Sequence, residues 1–146
     1  MHRPIAVFMY LFPLLLLAQG RLEVVVHIPE QAPSGTLHLA LCPNEDAFRI
    51  VEGCRIREVV TKGDAASFSF PDLPAGTYAV KVFLDMNGNG VLDKNELGIP
   101  QEPVGFSNDA MGRMGPASFK EASFAFSGVD TAIAFTLRVP PRMEER

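Results

Sequence analysis

The chain has 146 residues and a formal net charge of −4. That length suits one domain once a targeting segment is set aside. The acidic balance disfavours nucleic acid, which needs a basic face, and no polybasic stretch offers itself to an anionic membrane.

The N-terminus reads as a signal peptide over residues 1–20. His2 and Arg3 make a short basic start, and Ile5 to Leu17 is almost wholly apolar. Ala18, Gln19 and Gly20 place small residues at −3 and −1 of a cut before Arg21. The apolar run is shorter than the roughly 20 residues of a spanning helix. An uncleaved anchor or a buried N-terminal helix is the competing reading. No Cys follows the cut, which disfavours a lipid anchor there. Cleavage removes one Arg and no acid, so the charge moves from −4 to −5. A periplasmic or secreted location follows, with no membrane attachment after cleavage.

Short β-prone runs bounded by Gly, Pro, Asn and Asp then recur, with no sustained helical period. Leu22 to Ile28 is the first strand. Thr36 to Cys42 is the second, with Leu37, Leu39 and Leu41 on one side, and its spacing suggests an antiparallel neighbour of the first. Pro43 to Gly53 is a loop with room for one helical turn at Glu45–Ile50. Arg55 to Lys62 and Ala65 to Phe70 follow. Thr77 to Asp85 is the strongest strand, and its sparse polar side marks it as central. Residues 86–118 show little periodicity, and a loop that long is functional or disordered. Ser123 to Phe126 and Thr131 to Val139 close the domain, and residues 141–146 form a charged tail. The sum is an all-β fold over residues 21–140: a single immunoglobulin-like or transthyretin-like β-sandwich of about seven strands.

Cys42 and Cys54 stand 12 residues apart. In an oxidising compartment such a pair becomes a disulfide. A metal pair and a redox pair are the alternatives, but two cysteines make a poor zinc site and the spacing is not C-x-x-C.

The sharpest motif runs from Asp85 to Glu96. It matches the twelve-residue calcium-loop pattern, with Asp85, Asn87 and Asn89 at positions 1, 3 and 5 and Gly90 at the sharp turn. Val91 would offer its carbonyl, Asp93 stands at position 9, and Glu96 would supply the bidentate carboxylate. A hard Ca²⁺ ion takes six to eight oxygens, which this spacing can gather. A strand enters the loop and no helix leaves it, so bound calcium would be a static clip. The competing reading is a metal-free Asn/Gly turn whose side chains cap their own backbone.

Catalytic sets are sparse. His27 and His38 remain after cleavage, and both fall on outward-leaning strand positions. No serine sits in a G-x-S-x-G elbow, and no phosphate-cradling loop is present. The segment Gly105 to Phe119 mixes glycines with Phe106, Met111, Met114 and Phe119. It reads as a crossover packed on the sandwich, with Ser107, Asn108 and Arg113 satisfying its backbone. The competing reading is a recognition loop carried by Phe106, Ser107, Asn108, Arg113 and Phe119.

The stretches Asp72-Leu-Pro-Ala-Gly-Thr-Tyr-Ala-Val, Asp85-x-Asn-Gly-Asn-Gly-x-Leu-Asp, Leu97-Gly-Ile-Pro, Gly105-Phe-Ser-Asn and Gly115-Pro-Ala-Ser-Phe, in that order, resemble the bacterial exported domain-of-unknown-function family numbered 2141. The resemblance runs from about Leu22 to Leu137. It implies export and an immunoglobulin- or transthyretin-type sandwich, and no activity. It requires neither an acid at Glu96 nor the cysteine pair.

The leading expectation is a non-catalytic exported binding or structural module of the cell envelope, stabilised by calcium and meeting a protein or glycan. One alternative is an enzyme of unfamiliar type that uses the 105–119 loop and a histidine. Another is an accessory subunit of an envelope complex. A pocket holding His27 or His38 with acids beside it would favour the enzyme, and a shallow surface with both histidines exposed would favour the module.

Overall fold

Alternation in the strands sorts the chain into two packed sheets, seen in a computed structural model that describes residues 17–141. Most of the expected signal peptide, and the expected tail beyond its first residue, lie outside the described residues. The three-stranded sheet has the order β4-β1-β8: β1 is Gln19–His27, β4 Ala65–Pro74 and β8 Thr131–Thr136. The five-stranded sheet has the order β3-β2-β5-β6, with β7 also on β5. There β2 is Thr36–Cys42, β3 Arg55–Val60, β5 Gly76–Asp85, β6 Val104–Phe106 and β7 Phe124–Phe126.

The inner faces are the apolar halves of these alternations. Leu22, Val24 and Val26 of β1 and Phe68 and Phe70 of β4 meet Leu37, Leu39 and Leu41 of β2 and Val80, Val82 and Leu84 of β5. Each fully buried side chain of this kind contributes about 1.5–3 kcal/mol. The open edge between β3 and β4 is bridged by two arginines. The Arg57 guanidinium lies 5.1 Å over the Phe70 ring, and Arg55 Nη1 donates to the Pro71 carbonyl at 3.3 Å. Both keep their charge at the rim while their stems cover apolar surface.

β5 is central, as its composition indicates. β2 lies on one side, and β7 and β6 share the other, pairing with Gly76–Tyr78 and Lys81–Phe83 respectively. The Asp72–Tyr78 turn is pinned by the Tyr78 hydroxyl, which donates to the Pro74 carbonyl at 2.7 Å.

One expectation is corrected. β2 is not the neighbour of β1; it pairs antiparallel with β3 and β5, while β1 pairs antiparallel with β4 and parallel with β8. The connection through Pro29 and Pro33 is too long for a tight hairpin and carries the chain across to the other sheet. Gly35 makes that entry possible, because a Cβ there would stand 2.4 Å from the Asp85 carbonyl oxygen. At the start of β1, Gln19 and Gly20 pair with Pro74 and Leu73, so the strand begins two residues before the expected cut.

Two short helices cover part of the outer face of the five-stranded sheet. The expected turn at Glu45–Ile50 is helix α1, capped by Asn44, whose Oδ1 accepts from the Ala47 N–H at 2.9 Å. Phe119–Ala122 is helix α2, begun by a reciprocal Ser118–Glu121 capping box. Beneath them Ala40, Cys42, Ala47, Phe48, Ala79 and Ala122 form a second apolar cluster.

A candidate ligand cleft and the loop beside it

Side chains of β2, β5 and β6 that point away from the core should meet solvent. Where α1 and α2 stop short, they instead floor a cleft of about 700 Å³. The floor is His38 and Ala40 of β2, Lys81 and Phe83 of β5, and Val104 and Phe106 of β6. Phe48 and Val51 at α1, with Ile56 and Glu58 of β3, make one wall. Val91, Leu92 and Lys94 make another, and Ala117 to Phe119 closes the end.

Two polar groups stand in this apolar setting. His38 stacks on Phe83, with ring centroids 4.8 Å apart, and lies between two carboxylates. Its Nδ1 is 3.0 Å from Glu58 Oε1. Its Nε2 is buried and 3.4 Å from Asp85 Oδ2, a separation at which no well-formed hydrogen bond results. Lys81 is half-buried. Its Nζ donates to the Phe48 carbonyl and lies 5.0 Å over the Phe48 ring. Among the described residues no carboxylate lies within ion-pair distance of it. Burial lowers the Lys81 pKa, and the Lys94 charge lowers it further.

The Asp85–Glu96 loop forms the rim beside Val91. Asp85 is buried, and its two oxygens accept from the Gly88 and Gly90 backbone N–H groups at 2.8 Å each. Desolvation works to raise its pKa. The Gly90 and Gly88 donors and His38 outweigh that, and the net pKa is lowered. Asn87 and Asn89 turn their amide groups onto Asp93, at 2.6 Å and 2.9 Å to its nearer oxygens. Val91 donates its N–H to Asn89 Oδ1, and its side chain is exposed.

Glu96 is exposed and apart from the others, carried outward by a turn in which Asn95 Oδ1 accepts from Leu97 and Ile99. The acid that closes the loop is Glu102, which the local motif does not reach. It is buried and accepts from the Met86 N–H at 2.9 Å and the Asp93 N–H at 3.1 Å. The Asp85 and Asp93 carboxylates accept from N–H donors, and among the described residues no three acidic, His or Cys side chains converge.

The depressed pKa of Asp85 gives a pH expectation. Stability from this carboxylate is present above its unfolded value, near pH 4, and is lost as pH falls through the lower folded value. In urea unfolding, the gap between wild type and Asp85→Asn is therefore expected to be full at pH 7. It should narrow below about pH 4. A gap that stayed constant to pH 2.5 would contradict this.

The segment 105–119 divides. Ser107 is buried and Asn108 is exposed, and both bond backbone groups of neighbouring elements. The Ser107 hydroxyl is buried; it accepts from the Val80 N–H at 2.8 Å and donates to the Ala122 carbonyl. Asn108 Nδ2 donates to the Glu121 and Ser123 carbonyls at 3.2 Å and 2.8 Å. Both satisfy backbone groups that the crossover would otherwise leave open. Phe106 and Phe119 pack against Phe48, at 6.2 Å and 5.9 Å between centroids, and line the cleft. Arg113 is exposed. Of the histidines, His27 is exposed and His38 lies in the cleft with acids beside it. Cys42 and Cys54 are bonded, with sulfurs 2.11 Å apart, and close the loop that carries α1.

Fold and cleft together define an all-β sandwich with a covered, partly open outer sheet face. The chain belongs to the family described as uncharacterized protein conserved in bacteria (DUF2141), whose profile matches residues 26–134. No curated protein and no solved structure matches it.

Proposed function

We propose that the chain is a non-catalytic, exported ligand-binding module of the cell envelope, and that its site is the cleft on the outer face of the five-stranded sheet. The observation that carries this is the cleft itself, an apolar concavity of about 700 Å³ with a few polar groups in its floor. That is the usual form of a small-molecule site. Export rests on the N-terminal sequence and on the Cys42–Cys54 bond, which suits an oxidising compartment.

The enzyme reading is the second, favoured by the position of His38. Against it, both ring nitrogens face carboxylates. Among the described residues no hydroxyl or thiol is hydrogen-bonded to the ring, as a protein nucleophile paired with its base would be.

Titration with the neutral apolar fluorophore N-phenyl-1-naphthylamine tests the binding reading. The wild type is expected to bind it at one site. Val104→Trp, which fills the cleft floor, should abolish binding while the melting temperature holds. Absence of binding, or binding unchanged in a folded Val104→Trp variant, would refute the assignment.

A further inference from the structure

Resting on the cleft reading, we infer that its ligand is a soluble organic anion with an apolar tail, whose charged head is received by Lys81 and Lys94. Lys81 is a half-buried cation in a largely apolar setting. An ammonium partly removed from water is disfavoured unless an opposite charge or several acceptors compensate it. Here it has one carbonyl and one ring face, and among the described residues no carboxylate is in ion-pair reach. In the sheet Lys81 pairs with Ala40 on one side and Phe106 on the other, positions where an apolar side chain would pack without that cost.

Lys94, on the facing wall, adds repulsion instead of relief. Of the two acids that line the cleft, Glu45 and Glu58, neither is within ion-pair distance of Lys81 among the described residues. Glu58 is engaged by His38, and Arg49 lies 3.5 Å from Asp46 on the exposed side of α1. A half-buried cation, Lys81, and an exposed one, Lys94, therefore line one largely apolar cleft with no direct ion pair to either among the described residues. A bound anion would supply the missing counter-charge in a setting of low dielectric, where it interacts most strongly.

The tail is argued from the rim. Val51, Ile56 and Val91 line the cleft while 39%, 43% and 58% exposed, and Phe83 and Phe106 lie below them. An alkyl or aromatic body laid across these groups removes their surface from water. A purely polar anion would leave that surface exposed.

The experiment compares decanoate, decanol and decyltrimethylammonium, each below its micellar concentration, by calorimetry and by displacement of the naphthylamine probe. Decanoate is expected to bind at least about ten-fold more tightly than decanol, a difference of about 1.4 kcal/mol. The cationic amphiphile should bind more weakly than either. Lys81→Met should bring decanoate and decanol within about two-fold of each other, and Lys81→Arg should retain the preference. Lys94→Met, at an exposed position, should reduce it in part, and this holds the test open should Lys81→Met not fold.

Equal affinity for decanoate and decanol, or a preference that survives folded Lys81→Met, would overturn the anion assignment while leaving the cleft as a binding site. Co-sedimentation with phosphatidylglycerol vesicles without decanoate binding would overturn the soluble ligand. Failure of every probe to bind the wild type would overturn the cleft reading itself.

Discussion

Replacing Glu102 with alanine is expected to lower the free energy of unfolding by about 2–4 kcal/mol. The reasoning starts from the backbone. The chain from Met86 to Gln101 has few ladder bonds, and its two N–H groups at Met86 and Asp93 both point at one buried carboxylate. Hydrogen bonds to a charged acceptor contribute about 1.5–3 kcal/mol each, and removing the acceptor leaves both donors partly buried and open. Glu102→Gln keeps one accepting oxygen but turns an amide N–H toward a backbone N–H, so an intermediate loss is expected. Urea unfolding in the presence of a chelator gives the global cost. Amide exchange at Met86 and Asp93 should speed up in the alanine variant. A variant within about 0.5 kcal/mol of wild type would show that Glu102 does not hold the loop.

The second large effect is expected from the cysteine pair. Cys42→Ala with Cys54→Ala, or reduction of the wild type, should cost about 3 kcal/mol by the chain-entropy argument for a loop of this length. That corresponds to a fall in melting temperature of roughly 10 °C. The loss should also be felt at the cleft. The closed loop carries α1, and α1 presents both the ring and the carbonyl of Phe48 to Lys81. Probe affinity is therefore expected to drop several-fold in the double variant at temperatures where it remains folded. Undiminished affinity would show that α1 is held by its packing on Phe106 and Phe119 alone.

Much of the fold was legible because alternation is a local signal. Thr36–Cys42 was bounded to the residue, since Gly35 and Pro43 punctuate it and three leucines recur with period two. β6 was not legible: it has three residues, follows Pro103, and has Gly105 at its centre, so nothing alternates. Its Gly105 is closely packed, since a Cβ there would stand 3.1 Å from the Phe135 ring, which would have to give by a few tenths of an ångström. The order of strands was misread at β1 and β2 because adjacency in sequence does not separate a hairpin from a crossing between sheets.

The candidate site was much less legible. Lys81 and His38 read as ordinary outward positions on strands, and only the arrival of α1, β3 and the 90–94 segment over them makes a cleft. In the loop, position counting found Asp85 and Asp93. The pattern puts Glu96 at position 12 and does not reach Glu102, because spacing alone cannot see the reversal at Gly98 (φ 75°) that leaves Glu96 exposed and brings Glu102 to the Asp93 N–H.

The parallel pairing of β1 with β8 bears on how the domain carries mechanical load. The two strands run side by side through six residue pairs, Leu22–Thr131 to His27–Thr136, so their outer ends emerge at opposite poles of the sandwich. Tension applied between those ends pulls the strands past each other in shear. All the cross-strand bonds then bear the force together instead of opening one at a time like a zipper, which is the arrangement that resists stretching.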